Sequence, residues 1–325
     1  MPVLICQFCE NDEDRNGAEL DPIQNGFWCS VCDGYTYLHP AAAEHRFTLI
    51  LEDDSVRNSP IPKVNISLNK RLSPLRYPGG KSKIIPLIYS KLQEAASRTL
   101  VGAFSGGASV ELSLLHAGVI QELILNDLDY GIYSLFYTIK HDPDELIRRI
   151  QQTVPTHDHF FAAQSIVKAG YHACTIIEAA WALLLVNRLA YSGIYKANPL
   201  GGRSGCQKDL LSRWNPDDLC RRIRLIHAMS DRITVLNMDA CELIEEYYWR
   251  NHTTIFLDPP YIKQGKQLYR CYYNRDDHME LSQLLDSLFH GMPGADLILI
   301  YDNDPLIEDI YTYPVVEKFC RVYSD

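Results

Sequence analysis

Four consecutive residues, Asp258-Pro259-Pro260-Tyr261, set a carboxylate, two imino acids and an aromatic ring directly after an apolar run, Ile255-Phe256-Leu257. The run reads as a buried strand, so the tetrapeptide falls at its carboxyl end. An acid there can accept a hydrogen bond from an NH2 group. The prolines carry no N–H and stiffen the turn, which leaves a main-chain carbonyl to accept the second proton. The tyrosine ring offers a face for stacking. With both hydrogens held aside, a planar amine turns its lone pair toward an electrophilic methyl group. The simpler alternative is that the prolines end the strand and Asp258 caps a turn.

Elements that would position such a group lie upstream. Arg76-Tyr77-Pro78-Gly79-Gly80-Lys81 is a glycine turn carrying a lysine, followed by a helical stretch from Ser82 to Ala96. Leu100 to Glu111 (LVGAFSGGASVE) reads as strand, glycine-rich turn and helix. Small residues in such a turn let the main chain approach a ligand, and the helix N-terminus faces it. A second strand, Glu122 to Asn126, ends in Asp127, placed to take two ribose hydroxyls. A nicotinamide site is the rival, although the turn lacks Gly-x-Gly-x-x-Gly. The spacing Gly-x4-Gly-Lys-Ser/Thr is also absent, which disfavours nucleoside triphosphate hydrolysis. The expected class is α/β, a Rossmann-like sheet.

The chain has 325 residues, a net charge of −10 and 10 cysteines. Four cysteines form two close pairs, Cys6/Cys9 and Cys29/Cys32, a spacing that suits a closed four-sulfur structural Zn2+ site on a small β ribbon flanked by Phe27-Trp28 and Tyr35 to Leu38. A redox dithiol or a disulfide pair is the alternative. Residues 1–45 are thus expected to be a zinc-ribbon-like module. Residues 46–71 would be a strand (Phe47 to Leu51) and linker, with a boundary near residue 70. No membrane-spanning stretch or signal peptide is evident, so a cytoplasmic location is expected.

Charge is uneven. Residues 1–70 carry 5 Lys/Arg against 11 Asp/Glu, whereas residues 181–232 carry 9 against 4. A basic segment in an acidic protein can still meet phosphate, because DNA senses the field only within a Debye length of about 8 Å. The stretch Leu189 to Trp214 interleaves glycines, aromatics and cations and reads as a long loop suited to lying on DNA, or simply as a surface loop. Asn187, Arg188, Tyr191, Lys196 and Arg203 are its candidate contacts.

In this order the motifs Tyr77-Pro78-Gly79-Gly80-Lys81, Phe104-Ser105-Gly106-Gly107-Ala108-Ser109-Val110, Leu125-Asn126-Asp127, Asn187-Arg188-x4-Gly193, Asp239 and Asp258-Pro259-Pro260-Tyr261 make the chain from about residue 72 resemble the Dam-like (D12 class) DNA adenine N6-methyltransferases. The resemblance implies S-adenosylmethionine as cofactor and double-stranded DNA as partner. Tyr77, Gly79, Gly80 and Lys81 would frame the site near the methionine end, and Phe104, Gly106 and Gly107 would form its floor. Asp127 would hold the ribose, and Asp239 would lie near the adenine while capping a helix. Residues 72–130 and 233–325 would form the catalytic domain and residues 131–232 an inserted, helical target-recognition region. The loop Ile262 to Asn274 would close over an extruded base. Asp258 fits adenine rather than the Ser of cytosine N4 enzymes or the Asn of glutamine methylation, and no Pro-Cys pair serves carbon-five chemistry.

Two features depart from that family pattern. The family has Glu-Pro where this chain has Gly102-Ala103, and the cysteine module is an addition, suited to a scaffold role or docking of a protein partner at least as well as to DNA contact. Rival readings are a catalytically impaired DNA-binding regulator, an enzyme acting on RNA, and a dinucleotide-dependent oxidoreductase. The setting (housekeeping, restriction-modification or viral) and the oligomeric state, monomer or weak dimer, are not written in the motifs.

Overall fold

Alternating apolar residues decide the architecture. Along the strands, Leu49, Leu51, Val101, Ile255, Leu257, Leu297 and Leu299 pack into one buried cluster, while Ile50, Leu100, Phe256, Ile298 and Ile300 pack into another. Period-two alternation sends neighbours to opposite faces, so a sheet with both faces covered is required, and that favours parallel pairing. The computed structural model describes residues 20–21, 26–29, 31, 35–37, 46–53, 62, 64–69, 71–76, 81–262 and 270–319.

The first three strands, β1 (Leu20–Asp21), β2 (Gly26–Trp28) and β3 (Tyr35–Tyr37), form a small antiparallel sheet, with Phe27 opposite Thr36. The expected zinc ribbon falls for the most part outside the described residues. Of its four candidate ligands, Cys6, Cys9 and Cys32 lie outside the described residues. Cys29 is buried, and its sulfur accepts from the Val31 N–H at 3.4 Å. Among the described residues no group of three or more His, Cys, Asp or Glu could hold a metal ion.

The main sheet has seven strands, all parallel, in the order β10-β4-β9-β8-β5-β6-β7. They are β4 (Phe47–Glu52), β5 (Thr99–Gly102), β6 (Glu122–Asn126), β7 (Ile233–Leu236), β8 (Thr253–Leu257), β9 (Asp296–Asp302) and β10 (Val315–Phe319). Strand β4 is the strand expected at Phe47 to Leu51, and it is hydrogen-bonded on both sides inside the sheet.

Helices cover both faces. In chain order they are α1 (Ile85–Glu94) and α2 (Ser109–His116), then α3 (Tyr130–His141) to α8 (Pro216–His227) inserted between β6 and β7, then α9 (Ala240–Tyr247), α10 (Arg275–His290) and α11 (Pro305–Ile310). Within the insert, α4 (Pro143–Gln152) packs on α8, while α5 (His157–Lys168) and α6 (Ile176–Leu189) form a satellite core around Phe160, Ala182 and Leu189. Capping boxes at Thr156 and Thr175 start α5 and α6. The stretch read as a long loop folds back locally: Tyr191 N–H donates to the Asn198 carbonyl at 2.9 Å and Leu200 N–H to the Leu189 carbonyl at 2.7 Å. A short helix, α7 (Gln207–Leu210), follows. Among the described residues no helix is long and apolar enough to cross a membrane.

Candidate active site

The chain leaves β5 toward β6 on one side and later returns to β8 on the other, so the strand order reverses at β5. Ligands of open parallel sheets bind outside the carboxyl ends at such a point. The glycine turn after β5 and the tetrapeptide after β8 meet there. Gly102 is in register with Phe256, and the Ala103 N–H donates to the Phe256 carbonyl at 3.1 Å.

A cavity of about 260 Å3 opens at this point. Eight of the predicted site residues line it: Lys81, Phe104, Gly106, Gly107, Asp127, Asp239, Asp258 and Pro260. Pro259 is buried behind them and Tyr261 is half-buried beside them. Tyr77, Gly79 and Gly80 lie outside the described residues.

The glycine turn is shaped by two residues with positive φ, Gly106 (49°) and Ala108 (51°). Glycine adopts this conformation freely; alanine there is strained and must be held by its surroundings. The Gly106 N–H donates to Asp127 Oδ2 at 2.8 Å, and the Asp129 N–H donates to Oδ1 at 2.8 Å. Each carboxylate oxygen keeps acceptor capacity for a hydroxyl. Burial, with Asp129 nearby, pushes the Asp127 carboxyl up to about 7 against the pull of those two N–H groups and Arg270.

Asn126, 1% exposed, braces the strand ends. Its amide donates to the carbonyls of Ala103 and Met238, both at 3.1 Å, and accepts from the Met238 N–H at 3.0 Å. One side chain thereby ties the segments after β5, β6 and β7 together. Asp239 caps α9 by accepting from the Cys241 N–H at 2.7 Å, and also lines the cavity. Exposed Leu128 and half-buried Met238 add apolar surface to the same wall.

At the opposite end Lys81, 8% exposed, is the hub. Its ammonium donates to Glu52 Oε1 at 2.8 Å, pairs with Asp258 Oδ1 at 3.2 Å, bonds the Tyr261 hydroxyl and stands 4.3 Å from the centre of that ring. The lysine thus touches both polar members of the tetrapeptide. Glu52 comes from the end of β4 and was not singled out by sequence reasoning; no motif surrounds it. Arg270 closes the cavity from the segment after the tetrapeptide, bonding Asp129 Oδ2 at 2.9 Å.

The predicted DNA contacts divide. Asn187 is buried and spans the Arg76 main chain, accepting from its N–H at 2.7 Å and donating to its carbonyl at 2.8 Å. Arg188 is 7% exposed, and burial, with Arg222 and Arg76 close by, lowers it to about 10. Both face the protein body rather than solvent. Tyr191 is 67% exposed, and Lys196 and Arg203 are exposed on the same segment, over the rings of Tyr195 and Phe161 respectively.

The cavity thus runs from the Asp127 carboxylate after β6 to Asp258 and Pro260 after β8. A family model described as D12 class N6 adenine-specific DNA methyltransferase matches residues 77–322. No curated protein matches the chain.

Proposed function

The chain belongs to the D12 class of N6 adenine-specific DNA methyltransferases, and on that premise we propose that it transfers a methyl group from S-adenosylmethionine to the N6 amino group of adenine at specific sites in double-stranded DNA. The observation that carries the proposal is the meeting of Asp258-Pro259-Pro260-Tyr261 with the glycine turn and Asp127 around one cavity.

The residues present fit the cofactor. Asp127 has lone pairs for ribose hydroxyls, Leu128, Met238 and Phe104 supply apolar walls for a purine, and several carboxylates complement a cation. When bound, the cofactor supplies the electrophilic methyl group. Everything else is positioning. The target adenine leaves the duplex stack at a cost of a few kcal/mol. Tyr261 stacks on it, while Asp258 and the Pro259 carbonyl accept hydrogen bonds from its two amino N–H groups. The nitrogen lone pair is then aimed at the methyl carbon. No covalent enzyme intermediate is required, and the rate gain comes from orientation and fixed charge. Lys81 holds Asp258 and Tyr261 in mutual register. Tyr191, Lys196 and Arg203 meet DNA, whereas Asn187 and Arg188 shape the platform beneath them. A structural Zn2+ on Cys6, Cys9, Cys29 and Cys32 remains part of the proposal and takes no part in the transfer.

The test is methyl transfer from labelled S-adenosylmethionine to a random duplex library, with N6-methyladenine read out by sequencing. Asp258→Ala is expected to lower turnover by about a thousandfold, the scale of losing a preorganised transition-state contact. Full turnover by that variant, or label on cytosine or on RNA alone, would refute the assignment.

A further inference from the structure

One acidic group in the cavity has no role in the chemistry above. Glu111, on the first turn of α2, is 3% exposed and lines the cavity. Its carboxyl folds back toward the N–H groups of Val110 and of Glu111 itself. The two cations in the cavity wall are engaged elsewhere: Lys81 by Glu52 and Asp258, Arg270 by Asp129.

The carboxyl has its place because residue 102 has no side chain. A Cβ on Gly102 would lie 2.9 Å from Glu111 Oε1 and 3.0 Å from the Ser105 hydroxyl. Any side chain at the end of β5 would therefore press on this carboxyl.

The charges facing Glu111 are Asp258 from the β8 side and Asp127 from the β6 side, with Asp239, Lys81 and Arg270 elsewhere in the wall. Glu111 therefore stands between the carboxylate proposed to hold the target amine and the carboxylate proposed to hold the ribose. Burial, helped by Asp258 and Asp127 and opposed by the two N–H groups, pushes its carboxyl up to about 8. An uncharged acid beside other acids is poised to ionise when a cation arrives. The sulfur that joins ribose to transferred methyl also carries the amino-acid tail of the cofactor, and the hydrogen-bonding cation of that tail is the α-ammonium.

We propose that Glu111 binds the α-ammonium group of S-adenosylmethionine, and that Gly102 provides the space this carboxyl needs. The proposal rests on the reading of the cavity as the cofactor site. On binding, the Glu111 carboxyl gives its proton to solvent and the resulting carboxylate accepts N–H bonds from the ammonium; no other bond changes.

Calorimetry at pH 7, in buffers of different ionisation enthalpy, tests this with three ligands. S-adenosylmethionine and S-adenosylhomocysteine both carry the ammonium; 5′-methylthioadenosine has the nucleoside without it. Wild type is expected to release about one proton more than Glu111→Gln on binding S-adenosylmethionine. The variant should bind both ammonium-bearing ligands about 10- to 100-fold more weakly, the loss of one charge-assisted bond. It should bind 5′-methylthioadenosine as wild type does, which also shows that it is folded. Gly102→Ala should mimic it. If Glu111→Gln binds S-adenosylmethionine within about twofold of wild type with the same proton release, the proposal is overturned while the cofactor site stands. Equal weakening of 5′-methylthioadenosine overturns it too, because the effect would not lie at the tail. Failure of wild type to bind S-adenosylmethionine removes the cofactor reading and this proposal together.

Discussion

Lys81 carries the heaviest load of any single residue at the site. It sits almost out of solvent with two carboxylates and a phenol around its ammonium. Charges so buried are strongly destabilised when a partner is removed, because the remaining one is left uncompensated. With Glu52 gone, the ammonium would lean on Asp258 alone and draw that carboxylate away from the substrate amine. Glu52→Gln is therefore expected to lower kcat about tenfold, the effect of a misplaced catalytic group, while changing cofactor affinity much less. The effect should vanish in a Lys81→Met background, since Glu52 acts through the lysine. Steady-state kinetics of the two single variants and the double variant measure this coupling. Equal, additive losses in kcat from both substitutions would show that Glu52 has only a structural role. Sequence reasoning reached Lys81 through its glycine turn but not Glu52, because an ion pair between residues 29 positions apart leaves no local pattern.

At the scale of elements, strand ends rather than strands make the site, and Asn126 joins three of them. The side chain is almost out of solvent and makes three hydrogen bonds, the one to the Ala103 carbonyl fully buried. Asn126→Ala leaves two carbonyls and one N–H without this partner, so a loss of about 2–4 kcal/mol is expected from chemical denaturation, with cofactor affinity falling in parallel. A variant as stable as wild type would mean that water replaces the amide. The strand-turn-helix pattern around Gly106 and the strand-end acid Asp127 were legible because period-two runs, glycines and acids are local signals. The segment after Leu189 was less so. Its glycines and lack of periodicity look like an extended loop, yet main-chain bonds close it on itself, and Gly193 permits the approach: a Cβ there would meet the Arg76 carbonyl at 2.6 Å. The same tight packing buries Asn187 and Arg188. A polar residue such as Asn187 at the end of an apolar helix reads as a surface group when its partner, here the main chain of Arg76, is far away in sequence. In the proposed function the exposed cations of this segment carry the electrostatic part of binding. Lys196→Gln with Arg203→Gln should weaken DNA binding for all sequences alike and reduce the slope of log affinity against log salt by about 2. Fluorescence anisotropy at several salt concentrations reads this directly, and an unchanged slope would place both side chains off the DNA.

For the whole molecule, the family match begins at residue 77, yet the sheet does not. Strand β4 comes from before that point and lies between β9 and β10, with Phe47, Leu49, Ile50 and Leu51 each at most 1% exposed. Its apolar run marked it as a strand, but the loop-like residues that follow made it look like part of a tether. Which neighbours a strand pairs with depends on the global order of the sheet, which no local pattern encodes. Burying four large apolar side chains stabilises by about 6–12 kcal/mol, as much as the entire stability of an ordinary domain. Without β4 the hydrogen-bonding edges of β9 and β10 would also be left open, and open edges invite aggregation. Glu52 would leave the Lys81 shell as well. A chain begun at residue 72, although it holds every motif of the family resemblance, is therefore expected to show no cooperative thermal transition and no cofactor binding. Adding residues 46–71 in trans as a peptide, or as an N-terminal fusion, should restore both. Circular dichroism on heating, with calorimetry for the cofactor, decides the matter: a cooperative, cofactor-binding protein lacking residues 1–71 would show that β4 only decorates a sheet that stands without it.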